Sequence, residues 1–223
     1  MTVGLLNALY AFQGAFKSPA QLADEAAHIE IDVLGKPIGR QDQYAAAVGG
    51  FNFIEFMPRG GGVRVEPVIA SADTFRRLQR SLIMFYTGQQ RSADTVLSDQ
   101  RDGTRMGRTT ESLVELRDLA YELRENLTAG EVDRVGPMLH RSWELKRGLG
   151  GGVSNSGIDG FYAAATDAGA TGGKILGAGA GGFLLLFAPA ERQPAVRAAL
   201  GSLREVPLRF SSRGTHIMVW DGN

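Results

Sequence analysis

The chain has 223 residues, 43% of them hydrophobic and 22% charged, as in one large or two modest globular domains with a real core. Its 24 basic and 24 acidic side chains cancel, so no global field favours nucleic acid or an anionic membrane, and any phosphate binding has to be local. The absence of cysteine excludes disulfides, thiolate metal sites and a cysteine nucleophile, while the lack of a long apolar run or a signal-peptide start makes the cytoplasm the default.

Leu5, Leu6, Leu9 and Phe12 sit at helical spacing, so the chain opens inside a helix. Ser18 predicts the N-cap of a second helix, with Pro19 at its first position and Gln21 completing a capping box. Leu22, Ala26, Ile29 and Val33 form its apolar stripe, and Gly35 and Pro37 stop it. A third helix is expected over Asp42–Val48, ending at Gly49-Gly50 before an alternating strand, Phe51–Phe56. Residues 58–62 read as a turn and Val63–Val68 as a strand returning antiparallel. Ser81–Tyr86 is a continuous apolar run, expected as a central strand. Leu113, Leu116, Ala120, Leu123 and Leu127 repeat at 3, 4, 3, 4 and predict a helix closed by Gly130. Further helices are expected over Pro137–Lys146 and Ser156–Ala168. The remainder predicts strands at Lys174–Leu176 and Phe183–Ala188, a helix near Arg192–Leu200 and a strand at His216–Trp220. Helices and strands mix without strict βαβ alternation, which favours α+β layers.

Two segments carry chemistry. In Gly35–Tyr44, Asp42 reads either as a helix N-cap or as a functional carboxylate. Glu30 reads either as a solvated helix residue or as its companion. Two carboxylates on successive helices joined by a tight Gly/Pro turn can converge, one to hold magnesium and the other to orient a hydroxyl for phosphoryl transfer. The second segment, Gly172–Phe183, is the richest of three glycine clusters. Its glycines at 177, 179, 181 and 182 let backbone approach a ligand and turn N–H groups toward phosphate oxygens. A dinucleotide fingerprint would open a helix, whereas this segment runs into the strand-like Phe183–Phe187. A purely structural glycine hairpin is the alternative. Lys174 either supplies positive charge or is a solvated lysine at a strand edge. The run Gly148–Gly152 is either a mobile substrate-side loop or a helix terminator. His28, His140 and His216 are too scattered to form a ligand set.

Together the two segments resemble the GHMP superfamily of small-molecule kinases, which includes galactokinase, mevalonate kinase and homoserine kinase. Gly39-Arg40-Gln41-Asp42-Gln43 is similar to the galactokinase-type Gly-x-x-Asp-Gln pattern, and Gly177–Gly182 to the late Gly-Ala-Gly-Gly loop before a strand. Ile38–Gly50, Tyr86–Ser92 and Lys174–Phe183 resemble, more narrowly, the D-glycero-D-manno-heptose 7-phosphate kinases. The resemblance covers essentially the whole chain. It implies an α+β fold: a remnant of a ribosomal-protein-S5-like N-terminal domain over residues 1–70, then a GHMP-kinase C-terminal domain over 71–223, with helices layered on an antiparallel sheet. It implies Asp42 as catalytic base, Glu30 as magnesium ligand, and Gly177, Ala178, Gly179, Ala180, Gly181 and Gly182 as ATP-binding. Arg40, Gln43, Thr87, Gly88 and Arg91 are implied as substrate contacts, Arg91 suiting a phosphate through its planar fork, with a surface arginine as the alternative.

The implied reaction is attack by the anomeric hydroxyl of a sugar phosphate on the γ-phosphoryl of ATP, with Mg2+, and with neither nucleic acid nor membrane as partner. Such kinases also hold ATP on a Gly/Ser-rich loop at a helix N-terminus. Here the corresponding helix starts at Met1-Thr2, so that loop is expected upstream of residue 1. A non-catalytic fragment of such a kinase, or a kinase for a galactose-, fucose- or mevalonate-type substrate, is the alternative. Oligomeric state is not legible in the sequence.

Overall fold

The computed structural model describes residues 1–89, 93–150, 152–179 and 181–219. They form two compact units, one of Met1–Val68 with the chain from Phe210 onward, the other of Ile69–Arg209.

In the first unit α1 (Thr2–Phe12), α2 (Pro19–His28) and α3 (Gln41–Val48) pack together. The capping box predicted for α2 is made in full: Gln21 N–H donates to Ser18 Oγ at 3.3 Å and Ser18 N–H donates to Gln21 Oε1 at 2.9 Å. Val3, Leu22, Ala23, Ala26, Tyr44 and Ala47 form the buried centre. Beyond His28 the helix widens into a π-helical turn, Ile29–Val33, closed by Leu34 N–H donating to the Ile29 carbonyl at 2.9 Å. The extra residue in that turn moves Val33 off the predicted apolar stripe, and it is 64% exposed. β1 (Asn52–Phe56) and β2 (Val63–Pro67) make an antiparallel ribbon in the register Asn52↔Pro67 to Phe56↔Val63.

The strand predicted at His216–Trp220 does not form over 216–219, and Trp220 lies outside the described residues. Ile217, Met218 and Val219 are exposed, so an alternating segment has nothing there to bury. The sequence reading ran the second domain to residue 223, whereas the chain from Phe210 packs with the first unit. Gly50 N–H donates to the Ser211 carbonyl and Thr215 N–H to the Ala46 carbonyl, both at 2.9 Å. Glycine is required on both sides of this seam. A Cβ on Gly49 would fall on the Gly214 backbone, and one on Gly214 on the Ala47 carbonyl.

The second unit is built on a four-stranded antiparallel sheet in the order β4 (Gly172–Ile175), β5 (Phe183–Phe187), β3 (Leu82–Tyr86), β6 (Arg204–Glu205). β3 is an inner strand, as its unbroken apolar run predicts. Ile83, Phe85, Ile175, Leu184 and Leu186 belong to one buried cluster. It also holds Ile158 and Tyr162 of α8 (Ser156–Asp167), Val196 of α9 (Gln193–Ala199) and Trp143 of α7 (Val135–Arg147). α6 (Thr110–Ala129) packs along α7 and ends, as predicted, at a left-handed Gly130 with φ 79°. Two further helices lack a stripe long enough to read in sequence. They are α4 (Ala72–Ser81), capped by Thr74 N–H donating to Ser71 Oγ at 3.0 Å, and α5 (Ala93–Arg105). Among the described residues no helix is long and apolar enough to cross a membrane.

α7 reaches β4 through glycine. A Cβ on Gly172 would fall on the Gly136 carbonyl, and one on Gly136 on the Thr171 hydroxyl. Gly172→Ala is therefore expected to lower unfolding free energy by about 1–3 kcal/mol. Gly160→Ala, with open space around its Cβ in the middle of α8, is expected to raise it by about 0.5–1 kcal/mol. Urea titration of the two variants measures both, and equal midpoints would mean that the α7–β4 seam tolerates a methyl group.

Candidate functional site

Glu30 lies in the π-helical turn, half-buried, and both its carboxylate oxygens are taken. Thr2 Oγ1 of α1 donates to Oε1, and Gln43 Nε2 of α3 donates to Oε2. This removes the solvated-residue reading of Glu30. Gln43 is only 4% exposed, and its Oε1 has no hydrogen-bond partner among the described residues. Asp42, one residue earlier, is exposed in the first turn of α3. The N-cap position belongs to Arg40, which makes no side-chain cap. Asp42 is thus not the N-cap. Arg40 itself is exposed. Next along α3, Tyr44 turns inward and its hydroxyl donates to Asp24 Oδ1 at 2.6 Å. Burial, with the Asp24 carboxylate adding to it, pushes the Tyr44 phenol up to about 12.

No group of three or more His, Asp or Glu side chains able to hold a metal lies among the described residues. A single Glu30 carboxylate suffices for magnesium only where phosphate oxygens and water complete the octahedron, which is how that ion is usually held.

In the second unit the glycine segment joins β4 to β5. The helix that a dinucleotide fingerprint needs is absent there, since β5 follows directly. Thr87, at the end of β3, is buried, and both its N–H and its Oγ1 donate to the Gly182 carbonyl, at 2.9 and 3.0 Å. Gly88 turns the chain at φ 69°. Gln89 then accepts the Gly182 N–H on its carbonyl at 3.0 Å. Its side-chain Oε1 accepts from Asn155 Nδ2 at 2.8 Å. Asn155 is in turn the N-cap of α8, its Oδ1 accepting the Ile158 N–H at 3.0 Å. Lys146, from α7, donates to the Gly177 carbonyl. At Gly179, with φ 105°, a Cβ would come within 2.7 Å of the Val153 carbonyl, so only glycine fits. The end of β3, the loop and the start of α8 are thereby one hydrogen-bonded cluster. Sequence reasoning did not find Gln89, Asn155 or Lys146, because the partners that tie them into the cluster lie 31 or more residues away.

Ser154 Oγ and Arg147 Nη2 both meet Asp159 Oδ1, at 2.7 and 3.2 Å. With Glu144 and Gly150 they line an open polar cavity of about 420 Å³. Gly148 continues the carbonyl pattern of α7, as a helix terminator does. Arg91 and Ala180 lie outside the described residues. Lys174 is not the solvated lysine of the alternative reading, because it is half-buried and burial pushes its ammonium below the usual lysine range.

Residues 123–204, which contain the loop and its hairpin, match the family described as GHMP kinases C terminal. Over those residues the chain is similar to the C-terminal domain of GHMP kinases. Its α+β fold, helices on an antiparallel sheet, is that domain's fold. A D-glycero-alpha-D-manno-heptose 7-phosphate kinase of Campylobacter jejuni is 30% identical over 187 residues, 84% of this chain and 55% of that protein. The crystal structure of a D-glycero-D-manno-heptose 1-phosphate kinase from Bacteroides thetaiotaomicron aligns at TM-score 0.75 and 24% identity, covering 98% of this chain and 61% of its own, a likeness of fold. A second crystal structure, described as a sugar kinase from Campylobacter jejuni, aligns at TM-score 0.72 and 27% identity over 96% and 61% of the two chains. The chain therefore spans little more than half the length of these relatives. Glu30, Arg40, Asp42 and Gln43 lie in the first unit, outside the residues matched to the GHMP domain. Thr87 and Gly88 also lie outside them, in the second unit.

Tyr44 holds its proton more tightly in the folded chain than in the unfolded one. The stability it contributes is complete below about pH 10 and is lost as pH rises toward about 12. In an ultraviolet difference titration, Tyr44→Phe is expected to remove a phenolate signal centred near pH 12. A missing signal near pH 10 would show that the phenol is neither buried nor held by Asp24.

Proposed function

We propose that the chain is part of an ATP-dependent kinase that transfers the γ-phosphoryl group to the anomeric hydroxyl of D-glycero-D-manno-heptose 7-phosphate or a closely similar sugar. One observation carries this reading. Glu30 is fixed by two donors, and the exposed Asp42 stands beside the residue that fixes it. The likeness to sugar kinases supports it from outside the chain. Phosphoryl transfer asks little covalent chemistry of a protein and a great deal of positioning and charge stabilisation.

Asp42 would orient the acceptor hydroxyl and take its proton. No side-chain hydrogen bond ties it down among the described residues. Glu30 would hold magnesium, which when bound supplies positive charge to the phosphate oxygens. Gln43 and Thr2 would keep the Glu30 carboxylate from turning. In the glycine loop the Gly182 N–H is already given to Gln89. The donors for ATP phosphate would thus be the N–H groups from Gly177 to Gly179, whose carbonyl side Lys146 steadies. Thr87 would act by fixing the loop, its hydroxyl being engaged by Gly182. Arg40, Gly88 and Arg91 would meet the substrate.

Coupled ADP detection over a panel of sugars and sugar 7-phosphates tests the reaction, using protein that also carries a Gly/Ser-rich phosphate loop. A heptose 7-phosphate is expected to give the highest kcat/KM. Asp42→Asn is expected to lower kcat about 10²- to 10⁴-fold with little change in the KM for ATP, and unchanged turnover would remove Asp42 from the mechanism. The 223 residues alone are expected to bind ATP and magnesium only weakly by calorimetry. Tight binding would show that these residues hold the nucleotide without a further loop.

A further inference from the structure

Between α6, α7 and β4 lies a cavity of about 300 Å³, walled by Leu116, Leu119, Leu123, Met138 and Leu139. Lys174 and Ser142 supply its polar groups, and none of the residues of the glycine-loop cluster lines it. Lys174 pairs with Leu185 in the β4–β5 register, and its strand neighbours Gly173 and Ile175 are turned to the other face and buried. The lysine is half-buried, and that burial pushes its ammonium below the ordinary range. Among the described residues no carboxylate pairs with it. Three acidic side chains of the same two helices are engaged by arginines, Asp118 by Arg117 and Glu115 and Glu144 by Arg141. Arg141 holds Glu115 through two hydrogen bonds of 2.5 and 2.9 Å and reaches Glu144 at 3.5 Å. A cation whose surroundings are leucine and methionine lacks the counter-charge that buried ions ordinarily have.

We propose that this cavity binds a small amphipathic carboxylate, with the carboxylate on Lys174 Nζ and an apolar body between α6 and α7. At interior packing density the space takes about ten non-hydrogen atoms, the size of a medium-length acyl chain or a one-ring aromatic acid. A single ammonium and a single hydroxyl suit a monoanion. A phosphate dianion would be left half neutralised, which separates this cavity from any nucleotide or sugar-phosphate site. The apolar walls reject a free sugar, whose hydroxyls would find no partners there.

Calorimetric titration of the 223-residue chain with octanoate, methyl octanoate and octyl phosphate is the test. Octanoate is expected to bind saturably at one site, with the neutral ester and the phosphate each at least about tenfold weaker. Lys174→Met is expected to abolish the preference of acid over ester while far-UV circular dichroism stays unchanged. Leu119→Trp, which fills the cavity from the α6 side, is expected to abolish binding of all three. Three results overturn the proposal: no saturable octanoate binding, equal affinity for acid and ester, or undiminished octanoate affinity in Lys174→Met. Should Lys174→Met lose its fold, Leu119→Trp decides, and octanoate affinity retained in that variant places the ligand elsewhere.

Discussion

The carboxylate of Glu30 sits where α1, the π-helical turn after α2 and α3 meet, and it takes a donor from each of the other two helices. A half-buried carboxylate has to be satisfied, because leaving one unpaired costs more than most single contacts contribute. The requirement fixes Thr2 and Gln43, and with them the approach of α1 and α3 to α2. It also fixes Asp42. With Gln43 turned inward, the preceding residue lies about 100° round the helix and faces out. The internal tie and the exposed acid are consequences of one arrangement, with Glu30 placed in the widened turn Ile29–Val33.

Glycine plays the equivalent part in the second unit. At Gly136 and Gly172 it lets a helix backbone lie against a strand, and at Gly179 it lets the loop lie against Val153. What looks in composition like a run of flexible residues is a set of close approaches, each one fixing a distance that a methyl group would enlarge. The loop is held from the β3 side as well, through Thr87 and Gln89. Its geometry therefore depends on a strand ninety residues away in the chain.

What could be read from sequence was what is decided locally. The Ser18–Gln21 box, the stripe of α6, the Gly130 stop and the β1–β2 hairpin all follow from neighbours within a few residues. The π-helical turn escaped because a stripe through Ile29 and Val33 continues unbroken in an ideal helix and says nothing of an inserted residue. α4 offers only Phe75 and Leu78 as large apolar residues, and β6 is two residues long. Glu30 and Asp42 were legible as a pair, but the contacts of Thr2 and Gln43 with Glu30, and the cap position of Arg40, were not. Lys174 was misleading for a related reason. Its strand does lie at the sheet edge, where a lysine is ordinarily solvated, and only α6 and α7, dozens of residues earlier, cover it.

The first unit is discontinuous: Phe51 stacks edge-on with Phe210 at 5.8 Å, and Gly50 bonds Ser211. The second unit occupies one unbroken stretch, Ile69–Arg209, between those partners. A ribosome making this chain therefore releases every residue of the second unit before it releases the last pieces of the first. Domains tend to fold as they emerge, so the later unit can be finished while the earlier one still waits for its closing segment. During that interval the Gly49–Gly50 seam is bare, and a nascent chain stalled before residue 210 would present an open first unit beside a complete second one.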